Sequence, residues 1–336
     1  MEIRNFIGID VSKATLDITL LDQKGKQLFY KNIKNNGKEI ADLVNELRKN
    51  YEAEIEACVF CMEYTGVYNL PMINYLSGIK ANIWMESGHQ IKLSMGAVRG
   101  KDDKVDSYRI AKYAFDKRDK MKVWKAPREI ISKIADLITY RALMIKQKKA
   151  LEVACKEKAA FKPKAWMKSI KASTEMLAKG LKKEIEKIEK QVLAMIKEDK
   201  NLSRIYPIII SVQGVGFVTA AHIIVATNEF LNINDPKKFG CYCGVVPFDH
   251  KSGTSVRGKA RVSHMADKDM KTLLHLCATS SIRCKGEIKD YYERKLAEGK
   301  NKMLVLNAIR NKIILRIFAC VTRNKKYEKK YTYLVA

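Results

Sequence analysis

Four carboxylates stand where carboxylates are unusual. Asp10 interrupts Phe6-Ile7-Gly8-Ile9-Asp10-Val11, a run of apolar and β-branched residues typical of a strand covered on both faces. Glu63 closes a second such run, Ala57-Cys58-Val59-Phe60-Cys61-Met62-Glu63. Asp103 and Asp106 are three residues apart and lead into a helical pattern through Tyr108, Ile110 and Tyr113, so they share one helix face. A buried carboxylate without a partner costs on the order of several kcal/mol. Like charges brought together cannot all stay ionised. A divalent cation answers both problems, and hard oxygen ligands select Mg²⁺ or Mn²⁺ over zinc. Two such ions stabilise the attacking and leaving oxygens of a phosphoryl transfer. The competing reading of Asp103 and Asp106 is an acidic helix start that complements the macrodipole.

A second constellation lies far along the chain, His250-Lys251-Ser252-Gly253-Thr254-Ser255-Val256-Arg257-Gly258-Lys259-Ala260-Arg261. Its glycines and small residues predict an exposed loop. Lys251, Arg257, Lys259 and Arg261 make it cationic and suited to phosphates. Ser252 is either a nucleophile on a phosphodiester or one more phosphate contact. A free serine is a weak nucleophile, and chemistry alone favours the contact.

The positioning elements follow from periodicity. After Asp10, Thr15 to Leu21 alternates, Lys24-Gly25-Lys26 turns the chain, and Gln27 to Ile33 returns. Ile40, Leu43, Val44 and Leu47 mark a helix, Asn69 to Leu76 a shorter one, and Ala81 to Met85 a further strand. The order β-β-β-α-β-α-β-α is that of a ribonuclease-H-like (RuvC-like) fold, and Asp10, Glu63, Asp103 and Asp106 could converge within it.

Residues 128–200 carry 19 Lys and Arg against 10 Asp and Glu. Ile130, Ile134, Leu137, Met144 and Leu151, then Leu181, Ile185, Ile188, Val192 and Met195, keep an approximate heptad, and Pro163 separates the two runs. This predicts a basic helical hairpin or coiled coil, a dimerisation stalk or a nucleic-acid clamp. Gln213-Gly214-Val215-Gly216 before an apolar helix reads as a helix-hairpin-helix-like phosphate site or as a plain tight turn. Met270 to Ile282 and Met303 to Cys320 are core helices, the latter interrupted by Arg310 and Arg316. The expected class is α/β plus α: a catalytic domain over 1–125, a helical linker over 126–200 and a mostly helical domain over 201–336.

The chain has 336 residues, 47% of them hydrophobic, which excludes a disordered chain. It bears 64 Lys and Arg against 37 Asp and Glu, a formal charge of +27, and this predicts a polyanionic partner, nucleic acid first. The eight Cys read as reduced core thiols. Cys58 and Cys61 fall on opposite faces of one strand, and Cys241 and Cys243 have no second close pair. With no spanning segment and no signal peptide, a cytoplasmic protein is expected.

Gly8-Ile9-Asp10-Val11-Ser12-Lys13, Glu63-Tyr64-Thr65-Gly66 and Lys101-x-Asp103-x-x-Asp106 together resemble the DEDD catalytic domain of the IS-one-ten (IS110) family of insertion-sequence transposases. Val215-Gly216 with its helix, and Ser252-Gly253-x-Ser255-x-Arg257-Gly258, resemble that family's C-terminal transposase domain. The resemblance implies a mobile-element DNA recombinase with Asp10, Glu63, Asp103 and Asp106 as metal ligands and Ser252 as covalent nucleophile. It further implies donor and target DNA as substrates, a structured guide (bridge) RNA as partner, and a dimer or tetramer. The competing functions are a metal-dependent nuclease or junction resolvase in which water attacks, a DNA invertase of similar construction, and a nucleic-acid-binding scaffold with an inactive metal site.

Overall fold

The computed structural model describes residues 3–51, 53–94, 103–252 and 256–328. Asp102 and Ser255 lie outside the described residues, as do the side chains of Asp103, Lys251, Ser252, Arg257 and Lys259. Contacts divide the chain into two compact units, Met1–Ala126 and Pro127–Ala336.

The first unit is built on a mixed sheet of β1 (Asn5–Val11), β2 (Thr15–Leu21), β3 (Gln27–Lys34), β4 (Cys58–Glu63) and β5 (Asn82–Glu86). The spatial order is β3-β2-β1-β4-β5. The first three strands form an antiparallel meander, and β4 and β5 add to β1 in parallel. Helices α1 (Gly37–Tyr51) and α2 (Leu70–Gly78) precede β4 and β5, and α3 (Gly88–Ser94) and α4 (Asp103–Asp116) follow. This order matches the expectation from periodicity and is consistent with a ribonuclease-H-like domain.

Strand alternation sorts the side chains between two cores. Ile7, Ile9, Leu16, Ile18, Phe60 and Met62 face a core that includes the Ile40, Leu43, Val44 and Leu47 stripe of α1. Phe6, Leu21, Val59, Cys61 and Trp84 face Ile110, Ala111 and Ala114 of α4. Thr15 to Leu21 alternates in sequence, yet nearly every residue of β2 is buried, because α4 covers the face that alternation alone would leave wet. Cys58 and Cys61 belong to the two different cores, as their i,i+3 spacing requires, and burial pushes the Cys58 thiol up to about 12.

The second unit opens with α5 (Glu129–Phe161) and α6 (Lys164–Glu198), which break at Pro163. Arg141 near the start of α5 pairs with Glu189 near the end of α6, so the two helices run antiparallel. The base of this hairpin is buried through Ile131, Ile134 and Ile138 with Ile188, Val192 and Ile196. Leu143, Val153, Ile170 and Leu177, farther out, are exposed, since two helices alone cannot enclose an apolar stripe. The base merges with a helical core formed by α7 (Leu202–Ile210), α8 (Phe217–Thr227), α9 (Pro236–Tyr242), α10 (Lys268–Ser281), α11 (Glu287–Ala297) and α12 (Lys302–Thr322). Asp235, Asp267 and Asn301 cap the N-termini of α9, α10 and α12 through side-chain oxygens.

Much of the stretch from His250 to Arg261, expected as a loop, belongs to two antiparallel paired strands, β6 (Phe248–Ser252) and β7 (Val256–Arg261). The Gly-x-Gly turn before α8 is accounted for by packing. Gly214 has a φ of +86°, and a Cβ there would meet Ser281 Oγ and the Cys277 carbonyl of α10. Arg310 does not interrupt α12 but is buried in it, donating to Asn307 Oδ1 and His275 Nδ1. A guanidinium can only donate, so His275 carries its proton on Nε2.

A charge clamp holds the entry to this unit. Arg128 donates to both oxygens of Asp199 at 2.7 and 2.9 Å and to both oxygens of Glu229, whose side chain is 1% exposed. Asp199 in turn accepts from the Asn201 and Leu202 backbone at the start of α7. Glu229 sits within Asn228-Glu229-Phe230, three successive residues with φ between 47° and 65°. That conformation is strained for side-chain-bearing residues and is held by the surrounding contacts.

The guanidinium of Arg128 holds the Asp199 carboxyl down to about 2. A lowered carboxylate contributes stability that is complete above its unfolded titration, near pH 4, and is lost as pH falls through the folded value. Asp199→Asn is therefore expected to lower the urea midpoint at pH 6, by on the order of 1–2 kcal/mol after screening at the half-exposed Arg128. The gap to the unmodified chain should close by about pH 2, and a gap independent of pH would contradict the clamp.

Candidate active site

The carboxylates of the first unit are set by one glycine. A Cβ on Gly8 would collide with the Ser107 carbonyl and the Ala111 backbone nitrogen, so α4 lies directly against β1 at this position. Thr19, paired with Gly8 across β1 and β2, bonds Ser107 Oγ at 2.9 Å in the buried seam. Two residues past Gly8 on the same face is Asp10, and one residue before Ser107 is Asp106. The seat of the helix thus determines where the acidic start of α4 lies relative to the strand.

Register adds the second strand. Ile9 pairs with Met62 in the parallel β1–β4 ladder, which puts Asp10 and Glu63 one step beyond, on adjacent strands and the same face. Adjacent strands are about 4.8 Å apart. Glu63 is half-buried, and burial raises its carboxyl pKa; Lys92 opposes the shift and the charge of Asp106 adds to it. Glu63 and Asp106 are thereby within electrostatic reach of each other. Asp106 also takes a 2.6 Å ion pair from Arg109. The backbone of Asp103 opens α4, one helical turn ahead of Ser107. Among the described residues no three His, Cys, Asp or Glu form a ready cation cage.

Two further carboxylates share this face. Asp17 lies opposite Asp10 and accepts from Tyr30 Oη at 2.6 Å and Asn32 Nδ2 at 3.0 Å. Glu86 is the register partner of Glu63 and accepts from Tyr113 Oη of α4 at 3.0 Å. The sequence carries a sign of Glu86, because Asn82-Ile83-Trp84-Met85-Glu86 ends in a carboxylate as β4 does. Nothing local marks Asp17, whose place depends on the meander register. Gly88 lies against the same group: a Cβ there would press on the Glu63 carboxylate, which would have to swing aside.

The second constellation lies in the second unit. Ser252 is the last residue of β6, in register with Val256, the first of β7. Lys251 and Arg257 are directly opposite each other. Arg261, opposite Phe248 at the base of the hairpin, is exposed.

Comparison with known proteins finds likeness to transposases in two segments of the chain. Residues 7–157 match a DEDD transposase family model, and residues 206–293 match one described as the transposase IS116/IS110/IS902 family. The pilin gene-inverting proteins of Moraxella bovis and Moraxella lacunata are each 20% identical over 331 residues, covering 97% of this chain and 98% of theirs. The IS110 insertion-element protein of Streptomyces coelicolor is 26% identical over 124 residues, 37% of this chain and 30% of its own.

Two outcomes follow from this geometry. Gly8→Ala should lower stability by about 2 kcal/mol or more in urea unfolding, because the obstacle is helix backbone and not a yielding side chain. Gly78→Ala, where an added methyl meets open space, should be near neutral and serves as control. For Glu63 the folded carboxyl titrates above its ordinary 4.5, so its charge weakens the folded state at neutral pH. In chelator, Glu63→Gln should melt higher than the unmodified chain at pH 7, and the difference should fade as both forms become neutral in acid. A lower melting temperature at pH 7 would show that the charge is compensated.

Proposed function

The chain belongs to the IS110 family of transposases, and from that premise we propose a DNA recombinase that works through a phosphoserine link to Ser252. Transposases of this kind cut and rejoin DNA. The observation that carries the reading is the single acidic face shared by Asp10, Glu63 and the start of α4, in a chain whose other unit offers a serine between cations.

In the proposed reaction the Ser252 hydroxyl oxygen bonds to a DNA phosphorus. The bond from that phosphorus to one DNA oxygen breaks, leaving a free DNA hydroxyl and a serine phosphodiester, and the serine proton leaves to a base. A hydroxyl of the partner strand then attacks the same phosphorus, and the serine departs as the hydroxyl it began as. One phosphodiester is exchanged for another, so no nucleotide cofactor is consumed. Lys251, Arg257, Lys259 and Arg261 neutralise the phosphate and hold its orientation.

The donor set fits a hard divalent cation, since it is all carboxylate and Glu63 already feels the charge of Asp106. Asp10, Glu63, Asp103 and Asp106 would hold Mg²⁺ or Mn²⁺, which would supply charge stabilisation at the phosphate. The charge of +27 suits donor and target DNA together with a structured guide RNA. Strand exchange between two duplexes needs several serines, hence a dimer or tetramer. Among the described residues no helix is long and apolar enough to cross a membrane.

A second reading has its own support. Likeness over 97% of the chain to proteins named for pilin gene inversion favours a recombinase that inverts a DNA segment in place. The chemistry at Ser252 is the same in both.

The test uses end-labelled DNA carrying both recombination sites. Ser252→Ala should abolish the covalent protein–DNA adduct and the rejoined product together, a loss of about a thousandfold or more. Asp10→Ala should reduce both by a comparable factor in Mg²⁺. Cleavage retained by Ser252→Ala with no adduct in the unmodified chain would mean that water attacks, as in a metal-dependent nuclease or junction resolvase. Full activity of Asp10→Ala would make the carboxylates structural.

A further inference from the structure

The far end of the α5–α6 hairpin carries a feature that neither fold nor strand exchange uses. Phe161, the last residue of α5, is 88% exposed, and Trp166, in the first turn of α6, is 68% exposed. Met167, beside Trp166, is 2% exposed. The buried methionine takes the sheltered position at this end of the hairpin, and the two aromatics stay outside it. Exposing two large rings on one short segment forgoes the stabilisation that their burial would give.

Their surroundings are cationic. Between residues 156 and 171 the chain has six lysines and one glutamate. Lys158, Lys162, Lys164 and Lys168 flank the aromatics, all exposed. Lys162 Nζ lies 6.0 Å from the Trp166 ring centre. Aromatic faces among lysines form a surface for stacked bases with their phosphates neutralised alongside. A protein partner would have to bring acidic residues to match this charge. Duplex DNA hides its base faces within the stack, whereas the loops of a folded RNA present them.

We propose that Phe161 and Trp166 form a stacking platform for unpaired bases of RNA, with the lysines of the hairpin tip holding the backbone. This rests on the nucleic-acid reading of the chain given above and assigns one part of it to residues outside the acidic face and the serine hairpin.

The experiment uses the full chain and a uridine oligomer of about ten nucleotides, a span typical of single-strand sites. Trp84 is buried and Trp124 half-buried, so Trp166 is the ring best placed to report an external base. Uridine RNA should quench its emission. In anisotropy with labelled RNA, Phe161→Ala and Trp166→Ala should each weaken binding about tenfold, with unchanged melting temperatures because both rings are exposed. RNA binding of undiminished strength in both variants would overturn the platform while leaving the nucleic-acid reading intact. No RNA binding by the unmodified chain would overturn both. Stronger quenching by a thymidine DNA oligomer, or equal quenching by duplex DNA, would remove the assignment to RNA loops. Emission that shifts with protein concentration alone would mean that a second copy covers the tip.

Discussion

Everything chemical in the first unit depends on a missing methyl group. Gly8 lets α4 rest on the backbone of β1, and the buried Thr19–Ser107 hydrogen bond fixes its position along the strand. Once the helix is seated, Asp106 comes within reach of Glu63, and the Tyr113 hydroxyl meets Glu86. A side chain at Gly8 would lift the helix and separate the acidic groups that it brings to the sheet. The glycine is therefore as much a part of the site as the carboxylates, although it bears no functional group.

The two units manage charge in opposite ways. The first gathers acids on one face of its sheet, where burial and the charge of Asp106 raise Glu63 against the opposing Lys92. The second neutralises its buried acid fully, enclosing Glu229 between Arg128 and Asn201. The contrast separates structure from chemistry. A satisfied ion cluster stabilises a fold, while an under-compensated one is suited to accept a cation. The strands β6 and β7 are basic instead, with Lys251 and Arg257 in register across the ladder.

Much of this was legible from the residues, and the failures have physical causes. The strands carrying Asp10 and Glu63 are long buried runs, and the α1 stripe and the break at Pro163 are local patterns. The heptad along α5 promised a seam through Leu151, but burial ends near Ile138 because two helices provide too little surface to cover it. The cationic segment around Ser252 looked like a loop because glycines and small residues interrupt it. Backbone pairing, which composition does not report, makes it a hairpin.

Taken alone, the amino-acid order determined which segments become strands and helices, which face of each is apolar, and which segments bear acids or bases. Those are properties of neighbours within a few positions, and periodicity records them directly. Tertiary structure decided that Asp17 and Glu86 share the face of Asp10, that Gly8 must lack a side chain, and that Arg128 clamps an acid a hundred residues away. These depend on register between strands and on the closest approach of distant backbones, distances that have no trace in local composition because they exist only once the elements have packed.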